Sequence, residues 1–145
     1  MNEIKYNEIA DSCKPKSNIL KNCINAFIFG GCIALIGQFL LEFYMYMLNV
    51  GQEKATAPMI ITVVLITCLL TGLGVFDKIA KHAGAGTFIP ITGFANAMSS
   101  AALESKSEGL IQGIGSNIFK YGGSVITYGI VSSFIFGVIR YVFHI

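Results

Sequence analysis

Four long runs of this chain carry no charge: Asn22–Leu41, Ala55–Phe76, His82–Leu103 and Tyr121–Ile139, each 19 to 22 residues long. At about 1.5 Å per helical residue, such a run matches the ~30 Å hydrocarbon layer of a bilayer. A chain in lipid has few options, because every backbone N–H and C=O must be satisfied within the protein, and a helix does this segment by segment. A water-soluble helical core is the alternative, but it needs polar faces, and Ala55–Phe76 offers only threonines. Composition agrees: 12% of residues are charged, where a soluble domain has about 25%. The predicted fold class is an all-α integral membrane protein. Three transmembrane helices are expected over about 19–43, 58–76 and 121–139, with a Gly/Pro-broken or re-entrant membrane segment over about 82–119. Residues 1–16 form a polar tail and 17–145 the membrane domain.

The net charge of +2 is too small to suggest a nucleic-acid partner. The first apolar run follows a charged tail and has no small-residue cleavage site behind it, so it is read as a retained span. Cys13, Cys23, Cys32 and Cys68 show no metal-ligand spacing, and the last three fall inside spans as small apolar groups. No cofactor or metal is expected. Ser17 or Asn18 is the expected N-cap of span one, and Pro58 is expected near the first turn of span two, after a polar loop Asn49–Ala57. Lys5, Lys14, Lys16 and Lys21 precede span one and Lys78 and Lys81 follow span two, which puts the N-terminus on the cytoplasmic side. The side of the C-terminus depends on whether 82–119 crosses or re-enters.

Small and polar residues recur at helical spacing in every segment. Ala26, Gly30, Ala34, Gln38 and Glu42 line one side of span one; Gly109 and Gly113 mark the short run before Phe119; Gly129, Ser133 and Gly137 mark the last span. Such stripes let backbones approach closely in lipid, where the hydrophobic effect no longer drives association. They predict an assembling bundle. Glu42 either snorkels to the boundary or stands at a water-filled mouth. Arg140 reads as an interfacial anchor, and His82 and His144 have no partner in sequence.

The run GAGTFIPITGFAN, Gly84–Asn96, is of another kind. Gly84 and Gly86 permit positive φ, and Pro90 removes a donor and pushes Ile89 out of the helical region. Thr92 is the expected cap of a fresh half-helix, with Thr92, Asn96, Ser99 and Ser100 on one face and Phe94, Ala97, Met98 and Ala101 on the other. The N–H groups of Gly93, Phe94 and Ala95 would then point out of its start toward an anionic group. Broken helices at membrane depth mark substrate sites in transporters. Gly84, Gly86, Thr87, Pro90, Thr92, Gly93, Asn96, Ser99 and Ser100 are therefore the candidate path residues.

That run, followed by Glu108-Gly109 and a glycine-spaced stretch into Phe119-Lys120, resembles the signature of the SpoVA membrane proteins of endospore-forming bacteria. The likeness covers the chain from about Lys14 onward. Lys14-Pro15 and the Ala26-Phe27, Gly30-Gly31 and Gly37-Gln38 pattern are more similar to the AC branch of that family than to its AEB branch. The resemblance implies a subunit of a spore inner-membrane complex moving dipicolinic acid, with calcium, into the forespore and out at germination, and a link to tension-gated channel activity. It also implies an AEB-type membrane subunit and a soluble AD-type protein as partners, and no catalytic residues. Calcium would be met at the mouths by Glu42, Glu104 or Glu108. Three or four close-packed helices enclose no bore, so partners are required. The rival reading is a non-conducting scaffold that docks the AD-type protein. An enzyme is the weakest reading, since no nucleophile–base pair or paired carboxylates can be read from the sequence.

Overall fold

The computed structural model describes residues 18–143, so the polar tail and His144 lie outside the described residues. Helix α1 is Ile19–Leu48, α2 is Gln52–Gly72 and the last helix, α6, is Ser116–Phe143. Between them lie α3 (Phe76–Ala83), α4 (Ala85–Phe88) and α5 (Ile91–Glu104). A 3₁₀ turn Lys106–Glu108 and a π-helical turn Leu110–Gly115 lead into α6, and no strand occurs among the described residues. Among the described residues three helices are long and apolar enough to cross a membrane: Ile19–Leu48, Gln52–Gly72 and the continuous Leu110–Phe143.

Local chemistry explains the boundaries. Asn18 caps α1, its side chain accepting from the Lys21 N–H. Asn49 ends the same helix in the left-handed region at φ 50° and returns its N–H to the Met45 carbonyl, as Asn does when no Gly is present. Pro58 lies inside α2, not at its first turn, because Gln52–Ala57 is already helical. The expected loop therefore shrinks to a few residues around Val50 and Gly51. The short run and the last span also differ from expectation. They fuse through the π turn, so Lys120 stands exposed within one helix instead of marking a boundary.

The core is built from small residues. Ala55, Ala83, Ala95, Ala101, Thr67, Thr71, Thr87 and Thr92 are buried, with Leu41, Val63 and Phe76 as the larger buried apolar groups. The bulky side chains point outward instead: Phe27 is 83% exposed, Phe39 69% and Phe134 71%. In water, apolar surface of this extent drives association. In lipid it is the ordinary outer face, and close contact of small residues is what joins the helices. The threonines of α2 cost little, because Thr62, Thr67 and Thr71 each donate to the carbonyl four residues back, of Pro58, Val63 and Thr67.

Helix α5 packs chiefly on α2 and on α6, while α3 and α4 pack on α1. Met98 of α5 meets Gly122 of α6, and Ser105 meets Asn117, so α5 and α6 run antiparallel.

Candidate functional site: the elbow between α3 and α5

The chain changes direction twice within seven residues. Gly84 takes φ 53° and ψ −126°, a left-half backbone that a side chain resists, and turns α3 into the single turn of α4. Pro90 then adopts φ −65° and ψ 172° and becomes the N-cap of α5. Two hydroxyls hold the break. Thr87 Oγ1 donates to the Gly84 carbonyl at 3.2 Å, and Thr92 Oγ1 reaches across Pro90 to the Thr87 carbonyl at 3.0 Å. The Thr87 carbonyl, at the end of α4, thereby gains a partner, as apolar surroundings require, while the Gly84 carbonyl also accepts from the Thr87 and Phe88 N–H groups.

Two glycines let this elbow seat itself. Gly86 lies against the backbone of Ala26 and Gly30: a Cβ on Gly86 would collide with the Ala26 carbonyl oxygen and come within 2.9 Å of the Gly30 nitrogen. Gly93 has the same relation to the backbone of Phe88. The lower part of the α1 stripe thus packs the elbow. Its upper part does not: Ala34, Gln38 and Glu42 are exposed, and Gln38 Nε2 donates to Glu42 Oε1 at 2.9 Å.

The elbow corrects the expected half-helix in several respects. Pro90 caps α5, and Thr92 is 4% exposed with its hydroxyl turned to the Thr87 carbonyl, so Thr92 is not the cap. The Gly93 N–H is bonded to the Pro90 carbonyl at 2.9 Å, so it does not point out of the helix start. Asn96, expected on the same face as Thr92, turns to α2, where its side-chain amide lies 2.8 Å from Thr71 Oγ1. Ser99 and Ser100 are half-buried; Ala97, on the expected opposite face, is exposed, whereas Ala101 from that face is buried.

Thr71 Oγ1 is also 2.8 Å from the Thr67 carbonyl. One hydroxyl proton cannot serve two acceptors, so the Asn96 amide rotamer that presents its NH₂ satisfies both contacts. This bond ties α5 to α2. Thr71→Val should cost about 1 kcal/mol in the bilayer, because it strands a part-buried amide. Thr71→Val with Asn96→Leu should recover part of that loss. Unfolding in mixed micelles reads both, and equal stability of Thr71→Val and the native chain would mean that the pair contributes nothing.

A cavity of about 240 Å³ lies between α1, α2 and the elbow, walled by residues such as Phe29, Ile33, Val63 and Phe76. Thr67, Thr87 and Thr92 border it, but their hydroxyls all donate to backbone carbonyls. It offers no threonine O–H to a polar solute.

The acidic candidates are all exposed. Glu104 ends α5 and Glu108 closes the 3₁₀ turn, and among the described residues no three acidic, His or Cys groups gather as a metal site. Gly109 turns the hairpin at φ 93°. Gly113 fits where a Cβ would strike the Ser105 carbonyl. Gly129, Ser133 and Gly137 are exposed on α6, and a Cβ at either glycine meets nothing within 4 Å. The Ser105–Asn117 bond had no signal in the sequence, since Ser105 sits among charged residues that read as a loop.

Residues 22–139 match the SpoVAC/SpoVAEB sporulation membrane protein family, so the match takes in α2 to α5 and nearly all of α1 and α6. The chain is similar to Stage V sporulation protein AC of Bacillus subtilis (strain 168), 46% identical over 138 residues that cover 95% of this chain and 92% of that protein. No solved structure matches the chain. An all-helical chain with three membrane-length spans, matched along nearly its whole length, belongs to the SpoVAC/SpoVAEB family of sporulation membrane proteins.

Proposed function

We propose that the chain is a non-enzymatic subunit of a spore inner-membrane complex that moves dipicolinic acid, with calcium, into the forespore and out at germination. Membrane tension is the candidate gating stimulus. The N-terminus faces the spore core, as the lysines flanking span one and following span two imply. The partners are an AEB-type membrane subunit and a soluble AD-type protein.

The elbow carries the reading. A double break at Gly84 and Pro90, seated by backbone contact at Gly86 and Gly93, costs a helix its continuity. Such irregular backbone is kept at membrane depth where it serves a path or a moving part. With the Thr87 and Thr92 hydroxyls consumed internally, these residues act as the hinge. Asn96, Ser99 and Ser100 are the nearest polar groups for a solute, and Glu42, Glu104 and Glu108 stand exposed where calcium could be met. The path then runs between subunits, not through one chain.

Pro90→Ala tests the reading. It restores a donor and favours one continuous α4–α5 helix, so spores should accumulate several-fold less dipicolinate while the protein still inserts at normal level. Normal dipicolinate content with a straightened helix would support the second reading, a scaffold that docks the AD-type protein. That reading draws on the same internal bonding of Thr87 and Thr92, which a purely structural kink would also show.

A further inference from the structure

A groove runs along α1 beside the elbow, and its character changes with depth. Its outer part, about 420 Å³, is bordered by Ile19, Asn22, Cys23, Lys81 and His82. Its inner part, about 240 Å³, is bordered by Gly30, Gly86, Ile89 and Pro90. Ala26 and Ala85 line both parts, so the two are continuous. The outer end is cationic. Lys81 and His82 are exposed on α3, with Lys78 on the same helix and Lys21 on the first turn of α1. The His82 ring is held by its Nδ1 to the Lys78 carbonyl at 2.9 Å, which leaves Nε2 to meet a ligand. Asp77 is the acidic residue of α3, and among the described residues no carboxylate forms an ion pair with Lys78 or Lys81.

We propose that this groove binds an anionic phospholipid, its phosphate at Lys81 and His82 and one acyl chain laid along Ala26, Gly30, Ile89 and Pro90. A basic cluster beside a membrane-spanning helix attracts acidic headgroups. The inner walls are apolar or bare backbone, so methylenes fill them without leaving a polar group unmet. A rigid dicarboxylate would instead set a second charge against the apolar inner walls, at a desolvation cost that an acyl chain does not meet. The site also sets one face of the elbow, Ile89 and Pro90, against lipid, which couples its shape to the bilayer whichever functional reading holds.

Native mass spectrometry of the full chain released from nanodiscs of phosphatidylglycerol and phosphatidylcholine tests the site. Phosphatidylglycerol should be retained in preference. Lys81→Gln should cut that preference about fivefold, and Lys81→Gln with His82→Gln should cut it further. Ala85→Leu, whose side chain projects into the groove and not into the core, should reduce retention of both lipids. Equal retention of the two lipids by the native chain overturns the proposal, as does retention unchanged by Ala85→Leu.

Discussion

Gly86→Ala should destabilise the protein by about 3 kcal/mol, at the upper end of what overpacking costs, and Gly86→Leu should prevent folding. The cause is backbone against backbone. A Cβ on Gly86 would overlap the Ala26 carbonyl oxygen and lie 2.9 Å from the Gly30 nitrogen, and neither atom belongs to a side chain that can turn away. Relief requires α1 and α4 to part, and that contact is what seats the elbow. The control is Gly31→Ala, one residue along α1 from Gly30, where a Cβ meets nothing within 4 Å. Alanine improves helix propensity by about 1 kcal/mol over glycine, so this variant should be slightly more stable than the native chain. Denaturant unfolding in mixed micelles, with the level of protein in the membrane as a second readout, compares the two directly. A Gly86→Ala chain as stable as Gly31→Ala would mean that the two backbones do not meet.

Much of this architecture was legible because lipid imposes length and small-residue contact imposes spacing. Uncharged runs near 20 residues become spans, and the glycines and proline of Gly84–Asn96 become a break, for reasons local to each residue. The Ala26–Gly30 part of the first stripe does pack a backbone, that of Gly86. What eluded the sequence depends on partners distant along the chain. A threonine after a broken segment caps a helix or bonds backward, and the two options read alike until the Thr87 carbonyl is seen beneath Thr92. Asn96 looked like part of a wet face because nothing in the sequence announces Thr71, 25 residues earlier. Lys120 looked like a boundary because a lysine among apolar residues usually is one. Here it emerges exposed from a helix whose surroundings are not other parts of the same chain.

That last feature leads to the second large effect. From Gly123 to Phe143 every residue of α6 is exposed, and only Gly122, against Met98, is buried. Gly129, Ser133 and Gly137 form a stripe that touches nothing within the chain, although such stripes hold helices together in lipid. Gly129→Leu with Gly137→Leu should therefore leave the chain's own unfolding unchanged or slightly improved, since a Cβ at either position meets no atom within 4 Å. The same change should cut recovery of the proposed complex with an AEB-type subunit roughly tenfold or more, a loss of about 1.4 kcal/mol or greater in association. Val131→Leu and Val138→Leu, on the far side of the helix, should do neither. Cross-linking in the membrane followed by affinity recovery measures association, and micelle unfolding measures the chain itself. If recovery survives Gly129→Leu with Gly137→Leu, the stripe faces lipid and assembly must use α1, whose Ala34 and Gln38 are exposed in the same way. If both recovery and unfolding collapse together, α6 packs on its own chain after all. Only loss of recovery with unfolding intact identifies α6 as the helix by which the chain joins the proposed complex.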